Sequence, residues 1–158
     1  MYTMHVPVKT MVAATMAAAT MAYAAPAHAS QLVGVWQSEV TRVNCATGES
    51  QGTFTGLQVY HQGGTLSDTN GTNPASRGPG FGTWRRAGAF GQVYDTEFRF
   101  MTFGAGGVFT GWAVITRQIT LGGAGWDSAT ATGRSKIYNT AGQVLVEGCT
   151  VDVSRRVD

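Results

Sequence analysis

His61 is the only histidine beyond residue 29, and imidazole titrates near neutral pH, which suits a general acid or base. It stands just before Gly63 and Gly64, where a strand would end, so it is predicted at the rim of a sheet or barrel. The alternative is a hydrogen-bonded surface residue. No Cys or His stands at metal-ligand spacing from it, so neither a metal nor a cofactor is predicted.

Four other ionisable side chains are candidates for proton transfer if they face an apolar interior, because burial shifts the pKa of such groups. They are Arg42, Tyr60, Asp68 and Glu147. The phase of their strands is not fixed by the residue pattern alone. With one histidine and many serines, no particular Ser-His-Asp triad is indicated.

Aromatic side chains are abundant and are candidates to line a pocket for an apolar or aromatic ligand. The alternative is that they fill the core. The predicted ligand-contacting residues are Tyr60, His61, Trp84, Phe98, Phe100 and Trp112.

Two cysteines, Cys45 and Cys149, stand 104 positions apart. In an oxidising compartment such an isolated pair forms one disulfide, which by the chain-entropy model stabilises by roughly 4 to 5 kcal/mol. Metal binding would need further ligands nearby, and a lipid anchor would need a cysteine at the cleavage site, where Ser30 stands.

An exported protein is indicated by residues 1–29. Lys9 supplies a positive start, Met11 to Tyr23 form a short apolar run, and Ala27-His28-Ala29 matches the small-x-small pattern cleaved by signal peptidase. The run is shorter than the about 20 residues needed to cross a bilayer. The sequence therefore predicts a cleaved signal peptide over 1–29, one domain over 30–158, and a periplasmic or secreted location.

The predicted mature chain carries ten Lys and Arg residues against nine Asp and Glu residues. The cations are scattered rather than clustered into a basic stripe, which argues against nucleic acid as a partner.

Glycine-rich turns and the absence of a 3.6-residue apolar period predict an all-β chain. The short connections favour antiparallel neighbours in meander order. The predicted strands lie near Gly34–Asn44, Gly52–Gln62, Thr65–Thr69, Phe81–Arg86, Gln92–Phe103, Val108–Leu121, Trp126–Tyr138 and Gln143–Val153.

Alternation is clearest in the fifth strand, where the face of Tyr94 to Phe100 is predicted to be buried and the face with Asp95, Glu97 and Arg99 to be solvated. The sixth strand is apolar on both faces, which indicates cover on both sides or a face lining a cavity. One face of the seventh strand carries only small residues, namely Ala129, Ala131, Gly133 and Ser135. This face either leaves room inside a barrel or packs against a large neighbour.

One long irregular segment, Asn70 to Gly80, interrupts the short turns. It is predicted either as a rim loop or lid, since functional loops are often the long ones, or as a flexible excursion.

The Gly34-Val35-Trp36 motif, together with about eight antiparallel strands, resembles the calycin β-barrels, which include lipocalins, avidin-like barrels and allene oxide cyclase-like barrels. In lipocalins a Gly-x-Trp closes the narrow end of the barrel and a late Arg packs over the Trp, which implies roles for Trp36 and for Arg155 or Arg156. Other stretches resemble small, uncharacterised exported bacterial calycin-like proteins: 60–66, 82–84, 94–100 and 148–150.

We therefore expect one antiparallel meander barrel of about eight strands, closed by the first and last strands. The leading hypothesis for its function is binding of a small apolar molecule inside. The alternatives are a cyclase or isomerase acting on an apolar substrate, and a module that acts through its outer surface or as a homodimer. An enclosed cavity would favour the first two, and a filled barrel with an exposed apolar patch the third.

Overall fold

A computed structural model describes residues 31–88 and 91–157 of the chain. The predicted signal peptide, residues 1–29, lies outside the described residues. No helix among the described residues has the length and apolar character needed to cross a membrane.

Eight β-strands make up the fold, and the predicted all-β class is confirmed. In chain order they are β1 (Gly34–Val43), β2 (Ser50–Tyr60), β3 (Thr65–Asn70), β4 (Arg77–Arg86), β5 (Val93–Phe103), β6 (Phe109–Gly122), β7 (Ser128–Asn139) and β8 (Val144–Arg156). A single 3-10 turn, Ala105–Gly107, lies between β5 and β6.

Each strand pairs antiparallel with the next, and β8 pairs with β1, which closes a meander barrel. Such a barrel is compatible with a calycin-like fold. Closure pairs the backbone groups of the first and last strands from Trp36 and Arg156 to Val43 and Cys149, and β8 continues beyond this ladder toward Val144. The tight β2–β3 turn depends on Gly63 and Gly64, whose φ values of 97° and 89° suit glycine.

The predicted phase of β5 is confirmed, because Tyr94, Thr96 and Phe98 are buried in the barrel while Glu97 and Arg99 are exposed. Successive side chains of a strand point to opposite faces, so this alternation fixes the inner face of every neighbouring strand through the register.

One end of the barrel is closed by Trp36, as the resemblance implied. Its Nε1 donates to the carbonyl of Leu32 at 2.9 Å, and the guanidinium of Arg156 lies 4.5 Å from the ring centroid. Arg156 also donates to the carbonyls of Gln31 and Val33. The neighbouring Arg155 is exposed, so Arg156 performs the covering role that the sequence left open between them.

The predicted disulfide is confirmed between Cys45 and Cys149, whose Cα atoms lie 5.2 Å apart. Cys149 is opposite Val43 in the β1–β8 ladder. The crosslink therefore fastens the closing pair of strands at the end of the barrel opposite Trp36.

The segment predicted as irregular from Asn70 to Gly80 is shorter in the structure, since β4 already begins at Arg77. Gly78, Pro79 and Gly80 resemble a turn in sequence, but Gly80 pairs with both Asp68 and Phe100. A Cβ at position 80 would approach Asp68 and the Phe98 ring to 3.1 Å, so this glycine serves close packing inside the barrel.

Candidate functional site

The centre of the barrel contains an ion pair that reaches across a strand. Nη1 of Arg117 in β6 donates to Oδ2 of Asp152 in β8 at 2.8 Å, over the intervening strand β7. The inward residues of β7 at this level are Ala131 and Gly133, and a Cβ at position 133 would lie 2.9 Å from Cγ of Arg117. The small-residue face of β7 is therefore packed against large neighbours, one of the two expectations for it.

Tyr60 joins this pair, because Nη2 of Arg117 donates to its hydroxyl at 3.1 Å. Burial raises the pKa of the Tyr60 phenol, and the cationic Arg117 opposes that rise. Burial alone would lower the pKa of Arg117, but its neighbours Tyr60 and Asp152 raise it, and the net shift is upward. Tyr60 is thus held as a neutral phenol and Arg117 as a cation.

A second chain of buried polar contacts runs along the inner faces of β8, β1, β2 and β3. The hydroxyls of Ser154 and Ser38 lie 2.7 Å apart, Ser38 donates to Oε1 of Gln58 at 2.6 Å, and Nε2 of Gln58 donates to Oδ2 of Asp68 at 2.8 Å. Asp68 also accepts a hydrogen bond from Arg77. The predicted inward position of Asp68 is therefore correct.

Arg77 follows the short segment 71–76 and covers the inner face of the barrel from the disulfide end. Its guanidinium lies 4.0 Å from the Phe100 ring centroid, and its side chain is 7 % exposed. Nε and Nη1 of Arg77 have no hydrogen-bond partner among the described residues. The segment predicted as a lid thus contributes one side chain that closes over the interior.

Arginine over an aromatic ring is a repeated contact in this barrel. A guanidinium over an aromatic face is attracted by the ring quadrupole. The five pairs are Arg42–Phe54, Arg77–Phe100, Arg86–Tyr94, Arg117–Phe98 and Arg156–Trp36. The roles of Arg77 and Arg117 were missed in the sequence, because scattered arginines indicate a solvated surface. The one available signal was that Arg117 alternates in phase with Ile115 and Ile119, which places its side chain on the same face of the strand as these apolar residues.

The space next to this network is small. Among Trp36, Tyr60, Arg117, Ala131 and Ser154 a cavity of about 10 Å³ remains, enough for about one water molecule. Arg117 lines this cavity, and its Nε, which has no hydrogen-bond partner among the described residues, is a group that such a water would satisfy. The arrangement has groups suited to proton transfer, and the cavity that Tyr60 and Arg117 both line has the size of one water molecule.

Four of the six predicted ligand-contacting residues lie on the inner face: Tyr60, Trp84, Phe98 and Phe100. The Trp84 ring makes edge contacts with Tyr60 at 6.4 Å and with Tyr94 at 5.8 Å. The structure therefore brings these aromatic residues together as packing neighbours. Their role in ligand binding stays a prediction.

His61 and Trp112 lie outside the barrel. His61 is exposed, and its Nε2 lies 3.0 Å from the hydroxyl of Ser67. Such a pair can share a proton, and Ser67 is the side-chain partner of the ring among the residues that the structure describes. Trp112 is 41 % exposed and points away from the interior, because its neighbour Ala113 faces inward.

The other two candidates for proton transfer are also at the surface. Glu147 is exposed and pairs with Lys136 at 3.1 Å, and Arg42 is exposed beside Phe54. Within residues 31–88 and 91–157, no cluster of three or more His, Cys, Asp or Glu side chains is placed to hold a metal ion.

A groove of about 960 Å³ lies on the outer face of β4–β8 and extends to Val43 of β1. Two rows of side chains, paired in register across the strands, line it: Thr83, Glu97, Thr116 and Arg134 in one, and Arg85, Asp95, Gln118 and Thr132 in the other. These eight side chains are polar and carry both signs of charge, while Val43, Trp84 and Val151 add apolar surface to the groove.

An apolar row borders the same outer face. Met101, Trp112, Tyr138 and Val144 are consecutive register partners across β5, β6, β7 and β8. Phe109 lies 5.0 Å from the Trp112 ring. Met101 is 53 % exposed and Val144 45 %, so the row presents apolar side chains to solvent.

Comparison of the chain with models of protein families, with curated proteins and with solved structures gives no match. The functional argument therefore rests on the geometry of the barrel.

Proposed function

We propose that this protein is an exported binding module that engages a protein partner through the outer face of β4–β8. The observation that carries the proposal is the location of the free volume. About 960 Å³ lies in the outer groove, whereas about 10 Å³ lies in the inner cavity among Trp36, Tyr60 and Ser154. Sites for drug-sized ligands have volumes of about 300 to 1,000 Å³, so the outer groove is of that size and the inner cavity is far below it.

The composition of the outer face supports a macromolecular partner. An apolar row with Trp and Tyr, beside two rows of polar and charged side chains in the groove, provides the aromatic anchors and the surrounding polar contacts that protein interfaces use. The Cys45–Cys149 disulfide and the predicted leader support action outside the cytoplasm.

Binding of a small apolar molecule inside the barrel is the second candidate, and the Arg77 contact favours it. Arg77, the first residue of β4, places its guanidinium over the interior at the disulfide end of the barrel, and displacing it would uncover the Phe100 ring. This route requires breaking the buried contact between Arg77 and Asp68.

An environment-sensitive apolar dye tests the two candidates with two matched variants. The outer-face proposal expects Trp112→Gln to weaken dye binding at least tenfold and Phe100→Leu to leave it unchanged. The opposite result would place the binding site in the interior. Loss of binding in neither variant, or no binding by the unaltered protein, would contradict both candidates.

A further inference from the structure

We infer that the partner of the apolar row is a second copy of this chain, which would form a two-fold dimer with Trp112 near its centre. This inference rests on the proposed function, since it uses the same outer face. It begins from the barrel, in which every strand is paired on both sides along part of its length. Over these paired stretches the ladder already uses the backbone groups, so two copies can meet there only through side chains on their outer faces.

The charges beside the apolar row favour a second copy. Arg99 and Lys136 lie next to the row on the same outer face, two residues along their strands from Met101 and Tyr138. Each is neutralised by a carboxylate of its own subunit. Arg99 donates to Glu97 at 3.1 Å, and Lys136 lies 3.1 Å from Glu147. A border with surplus charge would repel its own copy across a two-fold axis, whereas this balanced border does not.

The same balance argues against an anionic membrane as the partner. Binding to acidic lipids is strengthened by unpaired Lys and Arg side chains near the bilayer surface. Beside the apolar row, both cations already have carboxylate partners. The row therefore lacks the electrostatic attraction that such a surface requires.

The size of the row predicts a weak dimer. The exposed parts of its four members and of Phe109 together present on the order of 400 Å² of side-chain surface. For comparison, one whole aromatic side chain has a surface of roughly 150 to 250 Å². A standard stable interface buries about 800 Å² on each partner. We therefore expect a monomer–dimer equilibrium with micromolar or weaker affinity, in which sheets meet face to face as in other packed β-structures.

Sedimentation equilibrium of the mature, disulfide-bonded protein tests the inference. The unaltered protein should dimerise, Trp112→Glu should raise the dissociation constant at least tenfold, and Leu57→Glu should leave it unchanged. Leu57 is the matched control, because it is 43 % exposed against 41 % for Trp112 and lies on β2, outside the apolar row. If Trp112→Glu does not fold, judged by near-ultraviolet circular dichroism, Trp112→Gln must show the same weakening.

A protein that stays monomeric at all concentrations, or a Trp112 variant that dimerises normally, would overturn the inference. In a second experiment the protein is mixed with vesicles containing phosphatidylglycerol. If a monomeric protein floats with the vesicles and this flotation depends on Trp112, the apolar row binds a membrane instead. The dye titration, run at concentrations where the protein is monomeric, separates the two proposals. If dye binding depends on Trp112 but the protein does not dimerise, the proposed outer-face function is supported and the proposed dimer is wrong.

Discussion

The guanidinium of Arg117 and the carboxylate of Asp152 form an ion pair inside the barrel, with side chains 4 % and 0 % exposed, although strand β7 separates their strands. Gly133 and Ala131 on β7 leave the space through which the arginine reaches. The pair connects β6 directly to β8, so it fixes the relative positions of three strands.

Removing one partner of this pair should be costly. Arg117→Met leaves the Asp152 carboxylate buried without its cation, and such losses typically destabilise by about 3 to 5 kcal/mol. The double variant Arg117→Met with Asp152→Leu should be more stable than the sum of the single effects predicts. Urea unfolding of the four proteins measures this, and additive losses would show that the two side chains are not coupled.

The raised pKa of Tyr60 predicts a pH dependence of stability. Folding makes the phenol hold its proton more tightly, so this contribution is complete below about pH 10, the ordinary tyrosine value, and is lost as the pH rises through the higher native value. The free energy of unfolding should therefore fall above about pH 10 more steeply in the unaltered protein than in Tyr60→Phe. Equal slopes for the two proteins in urea titrations between pH 8 and pH 11 would contradict this.

Trp36 and Arg156 should be energetically important at the closed end. Trp36→Ala should destabilise by roughly 3 to 5 kcal/mol, because the ring is fully packed. Arg156→Ala should also destabilise, since it leaves the carbonyls of Gln31 and Val33 without a donor, whereas Arg155→Ala should have little effect. Thermal unfolding compares the two arginine variants, and equal midpoints would show that the Arg156 contacts add nothing.

Two glycines should respond differently to alanine. At Gly82 an added Cβ would lie 2.0 Å from the backbone oxygen of Glu97 and 2.6 Å from Cβ of Phe98, so Gly82→Ala must displace the β4–β5 ladder. Overpacking of this kind costs typically 1 to 3 kcal/mol. Gly125→Ala meets no atom within 4 Å and is the control. Stability of Gly82→Ala equal to that of the control would show that β4 can move without cost.

The disulfide should stabilise the closing strands. Replacing Cys45 and Cys149 by serine should lower the free energy of unfolding by roughly 2 to 5 kcal/mol, because the loop between them is long. Reduced unaltered protein should show the same loss. A difference between reduced protein and the double variant would instead report on the serine side chains.

The sequence by itself determined the strands, their order and the crosslink. Period-two alternation in β5, glycine turns between short apolar runs and two isolated cysteines each depend on local chemistry, so they are readable from neighbouring residues. The Gly-x-Trp resemblance also located Trp36 and narrowed its partner to two arginines. The start of β4 at Arg77 was missed, because Gly78 and Pro79 are turn residues locally. They lie in a bulge between Arg77 and Gly80, which are held in the strand by pairing with Thr102 and Phe100 of β5.

Tertiary structure alone decided what the barrel encloses. Ser38, Gln58, Asp68, Arg117 and Asp152 are polar, and alternation assigns polar residues to the solvated face, yet all five are buried. Their burial depends on partners up to 116 positions apart that meet only when β8 closes on β1. The same closure turns Trp112 outward and fills the interior with arginine and aromatic side chains. Which side chains meet depends on the register between distant strands, and no single segment encodes that register.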